Sequence, residues 1–358
     1  GWAVNNLGHC HPVVVEAIRE QAGKLMQVSM DVYNIPQVQL AELLLKVTGF
    51  NKVFFANSGT EANEGAVKLA RKYGKLYRHG AYEVISALNS FHGRTLAMVA
   101  ATGKPVYQAP YTPLPAGFIN VPYNSLEAIQ KATMENTVAV LLEPIQGEGG
   151  VNIPDDDYLK KVRAWCDEKG LLFILDEVQT GFGRTGSLFA YQHSGVVPDI
   201  MTIGKGLGGG VPISAILVKE KAAVFEPGDH GHTFSGNPLM SAAAYASFRF
   251  ILMNDVPGNA RRIGEYFMAN LRELQKKYPV ITEVRGRGLL VAMDFNKDIS
   301  AELTRECVAE GLLINNMKPN AVRFMPPLII TTKEVDRAMD ILNRVFDRVT
   351  GRLMVTTG

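Results

Sequence analysis

Apolar residues along this chain follow two different rhythms. Where they recur every three or four positions they predict helices. Pro12 to Met26 keeps Val13, Ala17, Ile18 and Ala22 in step behind a leading proline, and leucine-rich Gln37 to Val47 ends at Gly49. Thr60 to Tyr77 carries Ala62, Ala66, Leu69 and Tyr73 on one face, and Asp155 to Lys169 forms a further helix. Where apolar residues run without polar alternation they predict buried strands: Lys52 to Ala56, Tyr82 to Leu88, Thr137 to Glu143, Leu171 to Asp176, Ile200 to Ile203 and Ile213 to Val218. Such strands, separated by helices, describe a parallel sheet covered on both faces. Gly103 to Pro122 carries five prolines and reads as a loop.

The texture changes after Gly236. Long helices are predicted over Pro238 to Met253 and Pro257 to Lys276. Strand-like Ile281 to Val284, a Gly-Arg-Gly turn and Leu289 to Phe295 follow. Helix Ala301 to Glu310, strand Val322 to Met325 and helix Lys333 to Val349 close the chain. This alternation predicts a second, smaller α+β domain with its boundary near residue 250. The expected organisation is an N-terminal segment over residues 1–35, a large domain over 36–250 and a small domain over 251–358.

Composition narrows the class. The chain has 358 residues, enough for one large domain and a smaller one. Its 37 basic and 35 acidic residues nearly balance, which offers no nucleic-acid footprint. Cys10, Cys166 and Cys307 are too few and too far apart for a zinc motif or a disulfide framework, so no metal is expected and a reducing, cytoplasmic compartment is. No uninterrupted apolar run is long enough to cross a membrane. The chain opens on Gly1-Trp2-Ala3 without methionine, and a missing N-terminal part is expected.

Strand ends carry the candidate chemistry, because ligands of doubly wound sheets lie beyond the carboxyl ends of the strands. Ile200 to Ile203 delivers Lys205, followed by four glycines in five residues. A buried ammonium is unfavourable unless it is used, and a neutral lysine amine attacks aldehydes. Glycines there leave room for a planar ligand. Asn57-Ser58-Gly59-Thr60-Glu61 is an ordinary capping box or a phosphate cradle at a helix start. Asp176 ends an apolar strand, as a satisfied structural group or as the partner of a buried cation such as a protonated pyridine nitrogen. Phe91, in Phe-His-Gly-Arg, is a core residue or a stacking aromatic. Together the four functional readings meet the needs of pyridoxal phosphate.

The segments Ser-Gly-Thr-Glu-Ala-Asn (58–63), Asn-Ser-Phe-His-Gly-Arg-Thr (89–95), Glu-Pro-Ile-Gln-Gly-Glu-Gly-Gly (143–150), Leu-Asp-Glu-Val-Gln-Thr-Gly-Phe-Gly-Arg-Thr-Gly (175–186) and Gly-Lys-Gly-Leu-Gly-Gly-Gly (204–210) resemble the class III, or subgroup II, pyridoxal-phosphate aminotransferases. Within that family the chain is most similar to the acetylornithine and ornithine enzymes. The resemblance implies an α/β, aspartate-aminotransferase-like (fold type I) large domain with a mostly parallel sheet, and a homodimer with its active site at the interface. It implies Lys205 as the amine that joins the cofactor and Asp176 as the partner of the ring nitrogen. Phe91 and Val178 would sandwich the ring, Gln179 would approach its phenolic oxygen, and His92 would lie beside them. Ser58, Gly59 and Thr60 would hold the phosphate, and Thr233 would reach the phosphate of the neighbouring subunit. Arg323 and Arg94 would bind substrate carboxylates, as guanidinium does bidentately. Glu148 would mask Arg323 while an amine is bound, and Glu143 is placed with the substrate group. Two departures touch the expected substrate region: His232 stands where a serine is expected, and Val28 to Tyr33 differs from the acetylornithine pattern.

The implied reaction is transamination of the terminal amine of N2-acetyl-L-ornithine to 2-oxoglutarate, a step of arginine biosynthesis. Ornithine, succinylornithine, 4-aminobutyrate and carrier-linked lysine are alternative donors. A nicotinamide dehydrogenase is a rival, since Gly181 to Gly186 matches G-x-G-x-x-G after a strand and Asp199 falls near a ribose-binding position. A binding protein that kept the fold is another, but it predicts loss of Lys205 or Asp176.

Overall fold

The structure, a computed structural model, describes residues 2–356, with side chains as far as Gly351. Among these residues the strands form two sheets. The larger comprises β1 (Lys52–Ala56), β2 (Glu83–Ala87), β3 (Phe118–Val121), β4 (Thr137–Leu142), β5 (Leu172–Asp176), β6 (Ile200–Ile203) and β7 (Ser214–Val218), ordered β1-β7-β6-β5-β4-β2-β3. β2, β3, β4, β5 and β6 pair in parallel. β7 is antiparallel to both β6 and β1, so β1 runs with the parallel set and only β7 opposes it. The sheet is therefore mostly, not wholly, parallel.

The apolar runs are buried as their sequence requires: every residue of β4, β5, β6 and β7 is buried. One face of the sheet packs on the helix Gly59–Tyr77 through Ala62, Ala66, Leu69 and Ala70. Gly65 and Gly74 sit on that helix where a Cβ would collide with Ile216 and the Ala81 carbonyl, so small residues set how closely helix and sheet approach. The other face packs on the helices Ile35–Thr48, Tyr158–Lys169 and Pro238–Met253.

The second sheet comprises β8 (Ile281–Arg287), β9 (Leu290–Phe295), β10 (Asn315–Lys318) and β11 (Ala321–Phe324), ordered β10-β11-β9-β8 and antiparallel throughout. It packs on the helices Val256–Lys277, Ser300–Ala309 and Thr332–Thr356 around Phe267, Leu271, Val291, Met293 and Phe346. The start of Val256–Lys277 still belongs to the first core through Val256 and Ala260, Ile263 touches both, and Phe267 and Leu271 belong to the second.

Several sequence expectations need correction. The proline-rich stretch is not all loop: it holds a helical turn at Pro105–Gln108 and the edge strand β3. Proline is tolerated at the first turn of a helix, and the strand itself contains none. The first helix stops at Ala22, at a Gly23 cap, short of Met26. Helices Leu96–Ala101 and Leu126–Ala132 are too short to show a period. Polar Asn315–Lys318 gave no strand signal, yet it pairs with β11.

Candidate active site

The carboxyl ends of β1, β2, β4, β5 and β6 open on a cavity of about 270 Å³. Gly59, Thr60, Asn63, Phe91, His92, Gly93, Arg94, Glu143, Glu148, Asp176, Val178, Gln179 and Lys205 line it. Nearly all the residues expected from sequence are thus brought together. Ser58 lies beside this lining, and Arg323 lies behind Glu148 and Gln179. Thr233 is not part of the lining; its loop rests on residues 27–30, where Gln27 Nε2 donates to the Thr233 carbonyl.

Asp176 is held on three sides. Asn63 Nδ2 donates to its Oδ2 at 2.7 Å, His92 Nδ1 lies 2.9 Å from the same oxygen, and the Val178 amide donates to Oδ1 at 3.0 Å. Thr202, paired with Asp176 across β5 and β6, donates to Asn63 Oδ1 at 2.7 Å. His92 is therefore a brace for the carboxylate, and among the described residues its buried Nε2 has no hydrogen-bond partner. Asn63 has no role in the sequence reading. Its signal was a polar side chain on the buried face of an alanine-rich helix.

Lys205 follows β6 in a left-handed conformation, φ 39°, a strained state for a residue with a side chain. It keeps some accessible surface because it faces the cavity, yet its amine lies deep. Burial pushes its pKa down. The carboxylates of Asp176, Glu143 and Glu148 oppose that shift, and Arg323 adds to it. A neutral, nucleophilic amine is favoured by such a site. The glycines after it do not leave ligand space, contrary to the sequence reading. A Cβ on Gly206 would strike Asn6 and one on Gly208 the Val211 carbonyl, while Gly209 and Gly210 take positive φ to turn the chain. The close approach to the cavity is made at Gly59, where a Cβ would lie 2.7 Å from Val178 Cγ1.

Ser58 caps the helix Gly59–Tyr77 by accepting from the Glu61 amide at 3.3 Å, and Glu61 accepts from the Asn57 amide at 2.6 Å. Ser58 is thus a true cap, with Glu61 reaching one residue further, to the Asn57 amide. The cap leaves the amides of Gly59 and Thr60 heading the helix without intrahelical acceptors, as every helix start does. A phosphate at those two amides is geometrically compatible with the cap.

Glu143 is buried and accepts from the amides of Phe91 (3.0 Å) and Gly147 (3.3 Å). Burial pushes its pKa up to about 7; the charge of Asp176 adds to this, while His92 and the two amides oppose it. It thus fixes the aromatic Phe91 on one side and the loop bearing Glu148 on the other. Arg94 places its guanidinium 3.9 Å from the centre of the Tyr107 ring. Arg323 is almost fully buried and fully used. Its Nη2 pairs with Glu148 Oε2 at 2.8 Å and with Asn315 Oδ1 at 2.7 Å; Nη1 donates to the Gly147 carbonyl (2.6 Å) and to Gln179 Oε1 (3.1 Å). Asn315, on polar β10, is a second residue that the sequence reading missed.

The nicotinamide reading fails on geometry. Gly181 to Gly186 forms successive turns and opens no helix (the next, Tyr191–Ser194, is a single turn that starts five residues later), and buried Arg184 fills the region, donating to the carbonyls of Leu289 and Pro326 at 2.9 and 2.6 Å. Asp199 is committed to Arg163 (2.8 Å), Lys221 (2.6 Å) and the Phe173 amide.

The chain matches the family model described as Aminotransferase class-III over residues 1–346. It is 50% identical to an acetylornithine aminotransferase of Caldanaerobacter subterraneus subsp. tengcongensis, across 98% of this chain and 89% of that one. It is 47% identical to the enzyme of the same name from Methanocaldococcus jannaschii, across 98% and 88%. Among solved structures, the ornithine aminotransferase of Toxoplasma gondii superposes with a TM-score of 0.94 at 35% identity, covering 98% of this chain and 86% of that one. The acetylornithine aminotransferase of Elizabethkingia anophelis gives 0.86 at 36%, covering 97% and 87%.

Proposed function

This chain belongs to the class III aminotransferases, and from that premise we propose that it moves the terminal amine of N2-acetyl-L-ornithine to 2-oxoglutarate, giving N-acetyl-L-glutamate 5-semialdehyde and L-glutamate. The identity of nearly half or more to acetylornithine aminotransferases over almost the whole chain supports the donor. One observation supports the chemistry: Lys205, a buried amine of lowered pKa, shares a cavity with a carboxylate braced on three sides.

The residues present fit pyridoxal phosphate, on which the family depends. Two helix-start amides suit a phosphate, the Phe91 and Val178 side chains suit the faces of a ring, and Asp176 offers a fixed anion for a ring cation. When bound, that cofactor supplies an aldehyde to receive the amine and a ring that accepts electron density. Lys205 would hold that aldehyde through its amine and, once freed, would serve as the base that carries the proton at the donor carbon. Asp176, held in place by donation from Asn63 and Val178, would face the ring nitrogen as its partner. Gln179, in the cavity lining, would serve the phenolic oxygen. Arg323 and Arg94 bind the two carboxylates of 2-oxoglutarate. Glu148 neutralises Arg323 while the amine donor occupies the site.

The functional unit in this proposal is a cytoplasmic homodimer, in which Thr233 reaches the partner's phosphate site. Val32, Tyr33, Ile35 and Phe234 are all exposed around that loop, an apolar surface suited to a second copy. Among the described residues no helix is long and apolar enough to cross a membrane.

A panel of single half-reactions tests the donor: each amine is mixed with cofactor-loaded enzyme and loss of the aldehyde absorption band is timed. N2-acetyl-L-ornithine is expected to be fastest. A clear win for 4-aminobutyrate or carrier-linked lysine overturns the assignment. Lys205→Ala is expected to lose turnover by roughly 10²–10⁴-fold, the range for removing a positioned proton carrier, and retention of activity sinks the chemistry.

A further inference from the structure

The loop after β4 is gripped through its backbone by three cations. Arg323 takes the Gly147 carbonyl at 2.6 Å, Arg285 takes the Gly150 carbonyl through Nη2 at 2.6 Å, and Lys104 takes the Glu148 carbonyl at 2.9 Å. On its other side, Ile145 and Val151 pack against Leu290 and Ala292 of β9, and Glu143 holds the Gly147 amide. With its backbone fixed at so many points, the loop leaves one part free to move: the Glu148 side chain, which is partly exposed to the cavity.

Two of these cations differ in how their charge is met. Arg323 has the Glu148 carboxylate at 2.8 Å. Lys104 is half-buried, and among the described residues it has no carboxylate within ion-pair distance. Its partners are the Glu148 carbonyl and the Tyr107 ring, 5.2 Å away. Burial depresses its pKa, with Glu148 and Glu143 pulling it back up and Arg323 and Lys318 pushing it further down. The Glu148 carboxylate hangs from the same residue whose carbonyl already touches the Lys104 ammonium. Rotation about side-chain bonds, with the backbone held, is the movement that would take it from the guanidinium to the ammonium.

We propose that Lys104 is the second seat of the Glu148 carboxylate, occupied when a substrate carboxylate takes Arg323. This rests on the reading of Glu148 as the removable cover of Arg323. It gives that cover a destination inside the protein. A carboxylate displaced without one would stay beside the incoming anion and repel it. Lys104 is thus a specificity-determining residue for the dicarboxylate half of the reaction and is idle in the amine half, when Glu148 stays on Arg323.

Glutarate, a dicarboxylate without an oxo group, binds without reacting and is the probe. Its dissociation constant is measured on cofactor-loaded parent, Lys104→Met, Lys104→Arg, Glu148→Gln and the Lys104→Met/Glu148→Gln double variant. Lys104→Met is expected to weaken glutarate about tenfold, the loss of one partly buried ion pair, while the amine half-reaction keeps its apparent donor affinity within about twofold. Lys104→Arg is expected to restore most of the loss. In the Glu148→Gln background, where no carboxylate needs a seat, Lys104→Met is expected to change nothing. An equal loss in both backgrounds overturns the proposal, because Lys104 would then act on the ligand or the loop. Glu148→Gln by itself tests the underlying reading: glutarate binding should tighten, and if it does not, the cover fails independently of Lys104. Unchanged melting temperatures exclude misfolding as the cause, and a loss that Lys104→Arg does not restore counts against the proposal.

Discussion

At the scale of single residues, this molecule concentrates buried carboxylates around one buried amine. Glu143 and Asp176 face the cavity, while Glu177 points away from it and accepts from the amides of Ala190 (3.0 Å) and Tyr191 (2.7 Å). Burial raises the Glu177 pKa from 4.5 to about 7, against the pull of Thr180 and those two amides. The folded state then keeps a proton that the unfolded chain has released. This stabilisation is complete below pH 4.5 and disappears as pH rises through about 7. In urea unfolding of the cofactor-free protein, the stability of the parent relative to Glu177→Gln should fall by up to roughly 3 kcal/mol between pH 4.5 and 7.5. A pH-independent difference between the two proteins would show that the carboxyl stays ionised. Sequence named Lys205 and Asp176 because a charged residue ending an apolar strand is conspicuous. It missed Asn63, Asn315 and Lys104, whose polar side chains look ordinary until folding shows what they touch.

At the scale of elements, the site depends on how closely the helix Gly59–Tyr77 meets the turn after β5. Gly59 permits that contact, since a Cβ there would press on Val178 at 2.7 Å. Gly59→Ala should leave the cofactor-free fold intact, because alanine suits a first helical turn. It should weaken cofactor binding by about 1–3 kcal/mol, the usual result of overpacking, by driving Val178 into the ring's space. Adding Val178→Ala should recover most of the affinity, as measured by fluorescence titration with pyridoxal phosphate. If the second change restores nothing, the defect lies in the helix-start amides and not in the ring's space. The helix itself was legible from its alanine period and capping residues. The direction of β7 was not, because a fully buried strand has the same composition whichever way it runs.

At the scale of the whole molecule, the cavity of one chain lacks one expected contributor. Thr233 belongs to a loop that packs on Met30 and Gln27, beside the exposed Tyr33 and Phe234. In a homodimer this surface would be covered and the threonine carried to the partner's site. Tyr33→Asp combined with Phe234→Asp should therefore yield a monomer in sedimentation experiments. Its affinity for pyridoxal phosphate should be at least about tenfold weaker, as expected for loss of a hydrogen bond to a charged group. A dimer that survives both charges would move the interface elsewhere.

The sequence by itself marked the apolar strands other than β3, the long helices and a small set of residues suited to one cofactor. Period, apolar runs and the residue at each strand end are local properties, readable one segment at a time. Tertiary structure alone decided which polar groups meet. It aimed His92 at Asp176, packed Gly206 on Asn6, split the helix Val256–Lys277 between two cores, and set Lys104 and Arg323 on either side of Glu148. Those pairings join residues tens to hundreds of positions apart. They follow from strand order and loop closure, to which no local pattern of hydrophobic and polar residues is sensitive.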